Sequence, residues 1–172
     1  MIGVVPQFLG RYRFMSNFYK PAQVVIEGMT FPTSEHAFQA LKSDNRNTRK
    51  LIRDLPTAKQ AKIAGRGIKL RPNWEQIKKQ VMYDVVLKKF TGNPYLLDKL
   101  LKSEGLELQE GNWWHDGFWG MCSCGDCPTG QNWLGKILMK IRNEVIQVYV
   151  GGELVKRVDL VKLEGIRGPY EG

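Results

Sequence analysis

Val24-Val25-Ile26 is a short apolar run, broken by Glu27-Gly28 before Met29-Thr30-Phe31 resumes it. The pattern predicts a strand, a turn and a second short extended piece. Pro32 followed by Thr33-Ser34 reads as a helix start, a rigid approach and then a hydroxyl cap for the free amides. That first helix is expected to reach about Ser43, with a polar break from Asp44 to Asn47. Thr48 to Leu55 and Thr57 to Ala64 read as two short helices divided by Pro56, with Gly65 as a stop. Pro72 opens the longest helix. In it Trp74, Ile77, Val81, Val85 and Phe90 recur near the helical period, while Lys78, Lys79, Lys88 and Lys89 fall elsewhere. Gly92 ends it, and Pro94 starts another helix through Leu96, Leu97, Leu100 and Leu101 to Gly105. Leu106 to Glu110 alternates as a strand does. Asn112 to Gly130 is a loop rich in aromatic residues and cysteine, and Asn132 to about Gln147 is the last main helix. Val148 to Val155 resembles a hairpin with a Gly-Gly turn, and Leu163 to Gly172 a frayed end. The expectation is a mainly α (α+β) fold. One compact multihelical domain with small β elements covers residues 1–147, and 148–172 form a C-terminal extension.

The first helix carries the densest candidate chemistry. Residues seven apart return to nearly the same angle on a helix. Glu35, Gln39 and Lys42 therefore form a polar stripe beside Ala37, Phe38 and Leu41. A carboxylate, an amide and an amine at the edge of an apolar face are the parts of a proton-transfer or amine-nucleophile site. An ordinary solvated face has the same pattern, because Glu suits a first turn and Lys a helix end. On spacing alone the ordinary reading is preferred.

Three of the five tryptophans fall in Trp113-Trp114-His115-Asp116-Gly117-Phe118-Trp119. Such a cluster can pack a core or stack on a flat heterocycle. Gly111, Gly117 and Gly120 favour a pocket wall, since glycine lets backbone approach a ligand closely. Gly130 to Lys136 superficially fits a G-xxxx-GK phosphate loop. Ile137 stands where Ser or Thr is required, no strand is expected before it, and Trp133-Leu134 are too bulky for a cradle. A helix N-terminus at Asn132 remains a candidate phosphate site. Cys122, Cys124 and Cys127 form C-x-C-x-x-C, which with His115 offers a candidate zinc set. The spacing is not a standard one and the usual second C-x-x-C is missing, so reduced thiols without metal are expected.

The 172 residues, 42% hydrophobic, suffice for one core without staples. No apolar run approaches the ~20 residues that span a bilayer. Residues 1–10 lack the features of a secretion signal, so no membrane association and a cytoplasmic location are expected. The net charge of +9 suits an anionic partner, either a phosphorylated small molecule or nucleic acid. The charge is spread along the chain; it favours a nucleic-acid or nucleotide substrate but does not by itself settle the choice.

The order of several blocks adds a more specific reading. Phe14-Met15-Ser16-Asn17-Phe18-Tyr19, Phe31 to Lys42, Ala64-Gly65-Arg66 and Leu70 to Glu75 come first. Val81-Met82, Lys89-Phe90, Asn93-Pro94, Asp116 to Gly120, Gly130 to Gly135, Leu138-Met139 and Arg142 follow. In this order they resemble the NADAR family, also called YbiA-like, over about residues 8 to 147. The resemblance implies hydrolysis of N-glycosidic bonds, of phosphorylated ribosylamino-pyrimidine intermediates of riboflavin synthesis or of ADP-ribose joined to guanine in nucleic acid or nucleotides. It implies Glu35, Lys42 and Asp116 as the catalytic set, with Lys42 able to hold the opened sugar as a Schiff base and no cofactor needed. It also points to Asn17, Phe18 and Arg66 for ribose and phosphate, and to Trp74 and Trp119 as pocket residues ahead of Trp113 and Trp114. Arg71 and Arg142 have an alternative reading as structural ion-pair partners. Two non-catalytic functions compete: a binder of nucleic acid or ADP-ribose, and a zinc-organised interaction module.

Overall fold

A computed structural model describes residues 3–146. The hairpin and frayed end expected in 148–172 lie outside the described residues. The helices fall close to where the punctuation places them, except that the second begins at Arg46, inside the polar break expected from Asp44 to Asn47, because Asn45 caps it. Helix α1 spans Ser34–Ala40, α2 Arg46–Arg53, α3 Ala58–Ala64, α4 Trp74–Thr91, α5 Pro94–Leu101 and α6 Trp133–Ile146. Thr33, Asn45 and Thr57 each cap a helix by accepting backbone N–H groups with the side chain, which satisfies amides that have no intrahelical partner. Residues 10–15 form a 3₁₀ turn. The fold is a compact α+β assembly with few short strands.

Strands β2 (Val24–Ile26) and β3 (Met29–Phe31) pair antiparallel as the sequence predicts, with Val24 opposite Phe31. The other pairings are parallel and long-range. Strand β1 (Gly3–Val5) lies beside β4 (Leu106–Leu108), and β5 (Gly111–Asn112) lies beside β6 (Met121–Cys122). Strands of two or three residues carry too little periodicity to be read from sequence.

Helix α1 is the centre of the molecule, packed against α2, α3, α4 and the β2–β3 hairpin. Every residue from Ser34 to Ala40 is buried. This corrects the expectation of an apolar face with a polar edge, because the polar residues of α1 are enclosed too. The helix also stops at Ala40 rather than Ser43. Two tight turns continue it, from Lys42 N to Gln39 O (3.4 Å) and from Ser43 N to Ala40 O (3.2 Å). Helix α4 carries a second correction. It is enclosed by α1 and β2 as well as by α5 and α6. Lys89, read as lying off its apolar face, is fully buried and donates from Nζ to Ser16 O at 2.9 Å.

Candidate active site

Phe38 organises the site from the middle of α1. Trp74, the first residue of α4, tilts against its ring at 5.4 Å, and Trp119 meets it edge-on at 5.3 Å. Two distant segments are thus clamped to α1, and the two tryptophans singled out by the sequence converge on one ring. Lys42 Nζ lies 5.8 Å from the same ring and donates to Gly65 O at 3.3 Å. By contrast, Trp113 and Trp114 pack on one another and stay exposed.

Glu35 is one turn before Phe38 and is buried. Gln39 Nε2 donates to its Oε1 at 2.7 Å. Burial raises the Glu35 pKa. The Gln39 hydrogen bond and the charges of Lys62 and Lys42 oppose this, and Asp116 adds to it. Lys42 shifts the other way. Burial lowers its pKa, Glu35 opposes, and the positive charges of Lys62 and Arg66 lower it further. Both groups are therefore pushed towards their neutral forms, a protonated acid and a free amine. Lys62, which the sequence did not single out, acts on both.

Asp116 reaches this cluster from the loop between β5 and β6. Its Oδ1 accepts the backbone N–H of Trp119 at 2.9 Å. Asn112, itself buried, grips the Asp116 backbone with both ends of its amide. Asp116 lies close enough to Glu35 and Glu110 to raise both. Glu110 is the residue the sequence reading missed. Desolvation first, then Asp116 and Glu35, push its carboxyl up to about 8, with Lys62 and Lys89 opposing. Alternation in Leu106 to Glu110 suggested only a strand, and no spacing linked Glu110 to Glu35.

The remaining predicted residues divide. Asn17 is beside Glu35, since its carbonyl accepts the Glu35 N–H at 3.0 Å. Its Nδ2 donates to Met82 Sδ at 3.3 Å, while its Oδ1 is buried without a partner among the described residues. Gln39 Oε1 is a second buried acceptor in the same condition. Phe18 is 40% exposed and lies 5.7 Å from Lys62 Nζ. Arg66 is exposed but close enough to act on Lys42. Asn132 has a different job from the phosphate contact expected of it. Its Oδ1 accepts from Glu110 N (3.1 Å) and its Nδ2 donates to Leu108 O (2.8 Å). The amides of residues 131, 132, 133 and 134 donate to carbonyls of Gly117, Gly120, Phe118 and Trp119. This end of α6 is spent inside the fold, so a phosphate finds those donors engaged.

One other expectation changes. A Cβ at Gly111 would strike Pro6 O, and one at Gly120 would strike Glu110 O. These glycines serve close packing within the protein rather than approach of a ligand. Arg71 and Arg142 are structural. Arg71 pairs with Asp44 at 3.1 Å, and Arg142 donates to the carbonyls of Ser103 and Leu106.

A family model, the NADAR domain, matches residues 7–146. The chain belongs to the NADAR family. Among curated relatives, the riboflavin biosynthesis protein of Vibrio vulnificus is 34% identical over 160 residues, covering 92% of this chain and 42% of that protein. The N-glycosidase of Nostoc punctiforme is 37% identical over 139 residues, covering 78% of this chain and 86% of the relative. N-glycosidase YbiA of Escherichia coli is 36% identical over 124 residues, covering 71% and 75%. The chain thus spans under half the length of the Vibrio protein and 20% of a chloroplastic maize riboflavin biosynthesis protein, but most of the smaller relatives. The NMR structure of E. coli YbiA superposes with a TM-score of 0.76 at 31% identity, covering 89% of this NADAR chain and 91% of YbiA. Among the described residues, no helix is long and apolar enough to cross a membrane.

Proposed function

We propose that this protein is an N-glycosidase that hydrolyses the bond between a ribose carbon and the nitrogen of a planar base. The observation carrying the reading is the convergence on α1. Glu35 and Lys42 are both shifted towards neutrality, and Phe38 between them is gripped by Trp74 and Trp119. The names of the Nostoc and E. coli relatives support the same reaction class.

In the proposed mechanism, the neutral Lys42 amine attacks the anomeric carbon. The bond to the base breaks, and the departing nitrogen takes a proton from Glu35. The lysine nitrogen, cationic after the attack, returns a proton to the Glu35 carboxylate; its freed lone pair then expels the ring oxygen, which takes that proton, leaving an iminium. Water adds to that carbon, the carbon–lysine bond breaks, and the free sugar and amine are released. Asp116 balances the positive charge that builds on the sugar carbon. Asn17 Oδ1 and Gln39 Oε1, buried acceptors with no donor among the described residues, suit ribose hydroxyl groups.

The substrate is proposed as ADP-ribosyl-guanine, in nucleic acid or a nucleotide. This reading rests on the family resemblance and on a net charge of +9, which favours an extended anionic partner. A second reading is a phosphorylated ribosylamino-pyrimidine, favoured by the riboflavin biosynthesis names of the Vibrio and maize relatives. The two share a ribose joined through nitrogen to a flat base. Side-by-side turnover measures which is preferred, and release of base from neither overturns the enzymatic proposal in favour of a binding module.

Borohydride added during turnover is expected to fix the sugar to Lys42, with no adduct in Lys42→Ala. Lys42→Arg is expected to be inactive as well, since arginine stays protonated and forms no imine. Near-native base release by Lys42→Ala rules out the covalent route and leaves Glu35 and Asp116 to activate water.

A further inference from the structure

His115 Nδ1 and the sulfurs of Cys122, Cys124 and Cys127 all lie within 4.8 Å of one another. We propose that these four side chains bind one structural zinc ion, which fixes the loop that carries Asp116. The assignment departs from the metal-free thiols that the C-x-C-x-x-C spacing suggests. It goes beyond the glycosidase reading, and its metal readouts do not depend on that reading.

The geometry fits the ion. Zinc bonds of ~2.3 Å to sulfur and ~2.0–2.1 Å to nitrogen place tetrahedral ligand atoms ~3.5–3.8 Å apart. Here Cys122 Sγ is 3.1 Å from Cys124 Sγ, and His115 Nδ1 is 3.2 Å from Cys127 Sγ and 3.4 Å from Cys124 Sγ. The close pairs open slightly and the widest separation, within 4.8 Å, closes slightly to seat a cation at their centre. Three cysteine sulfurs and one imidazole are a common closed ligand set for structural zinc.

The surrounding backbone holds the four together. Cys122 lies in β6, in register with Asn112 of β5, three residues before His115. Ser123, between two of the cysteines, donates from both N (2.7 Å) and Oγ (3.1 Å) to Asn112 O. His115 takes a left-handed backbone (φ 66°), as does Gly125 (φ 88°) inside the Cys124–Cys127 turn. A non-glycine residue such as His115 meets a cost at positive φ, so something must hold it there. A redox pair among the thiols would leave the placement of His115 without a purpose.

The same contacts reach the site. Asn112 accepts Ser123 with its carbonyl and holds Asp116 with its side chain, and His115 precedes Asp116. A metal at this corner therefore anchors the aspartate from two directions.

The test uses the full chain purified under reducing conditions in zinc-containing medium. Elemental analysis is expected to give about one zinc per chain, and zinc release should track titration of the thiols by an organomercurial. Cobalt in place of zinc should show tetrahedral ligand-field bands and a thiolate charge-transfer band. His115→Ala and Cys124→Ser should lose the ion, while His115→Cys, which supplies a fourth thiolate, should keep it. Chelation should lower the melting temperature of the wild type but not of Cys124→Ser. If Cys124→Ser does not fold, the cobalt spectrum of the wild type and the retention of zinc by His115→Cys still decide. Three freely reacting thiols with no stoichiometric metal, or a disulfide in their place, overturns the proposal.

Discussion

The side chain of Asn112 holds the backbone of Asp116 at both ends, donating from Nδ2 to Asp116 O at 2.9 Å and accepting from Asp116 N at 3.1 Å. Asn112 is almost fully buried, so its side of both bonds is shielded from bulk water. The aspartate is thereby placed by its main chain before its carboxylate does anything.

Asn112→Ala should therefore cost both stability and rate. Each lost bond leaves a polar group of Asp116 without its partner, about 1–3 kcal/mol apiece where burial is complete. A lower melting temperature with reduced kcat and little change in KM is expected. Asn112→Asp keeps the acceptor and loses the donor, so it should recover part of kcat. Recovery of stability without recovery of kcat in Asn112→Asp would count against a positioning role.

Gly65 ends α3 where that helix meets α1, and a Cβ there would fall on Gln39 Oε1. Gly65→Ala must push Gln39 aside and with it the hydrogen bond to Glu35. Overpacking of this kind typically costs ~1–3 kcal/mol. Without Gln39, the Glu35 pKa should rise further, since that bond lowers it. The expected result is a lower melting temperature and a kcat/KM profile whose Glu35 limb moves to higher pH. An unchanged profile in a folded Gly65→Ala protein would show that Gln39 does not tune Glu35.

Much of this was legible from punctuation. Thr33, Pro56, Gly65, Gly92 and Pro94 are strong local signals, and the start of α1, the ends of α2, α3 and α4 and the start of α5 lie near one of them. The pair Glu35 and Lys42 was legible only in part, because helical spacing accounts for Glu35 and Gln39 while Lys42 lies beyond the end of α1, in the tight turn that follows it. Burial was not. Nothing in the order of residues says that α1 is surrounded, since that depends on α2, α3 and α4 closing around it. Glu110 was hidden for the same reason. It joins Glu35 and Asp116 through the parallel pairings of β1 with β4 and β5 with β6, which span more than 100 and about ten residues respectively. The phosphate role for Asn132 failed because a helix N-terminus attracts any acceptor, and here loop carbonyls reached it first.

Glu110 gives a stability prediction with a definite sign. Its folded pKa, about 8, lies above the ordinary 4.5, so the folded state binds more protons than the unfolded one between those values. Stability contributed by this group is therefore present at low pH and lost as pH rises through that window. Lys89, lowered from 10.5 to about 7 by its burial, works in the opposite sense from about pH 7 to 10.5, where stability rises with pH. Glu110→Gln removes only the first effect. Denaturant unfolding should show a flatter decline between about pH 5 and 8 and a gain at pH 7 on the order of a few kcal/mol. Glu110 keeps some exposure, so solvent screening trims that figure. A stability curve for Glu110→Gln parallel to that of the wild type would place the Glu110 carboxyl in water.

Lys62 is the sharpest probe of the electrostatics, because its charge acts on both members of the proposed acid–amine pair. It lowers the pKa of Lys42 as a like charge and that of Glu35 as an opposite one. Removing it in Lys62→Met should raise both, so the whole kcat/KM profile should move to higher pH rather than change width. Activity near neutrality should fall, since less of the Lys42 amine is then unprotonated, and should recover as the assay is made more alkaline. Borohydride trapping at Lys42 should follow the same displaced profile. Lys62→Arg keeps the charge and should hold the profile near its wild-type position, which separates charge from packing against Phe18 at 5.7 Å. A drop in rate that is equal at every pH would instead make Lys62 a substrate contact. An unshifted profile at full rate would mean that solvent screens Lys62 from both groups.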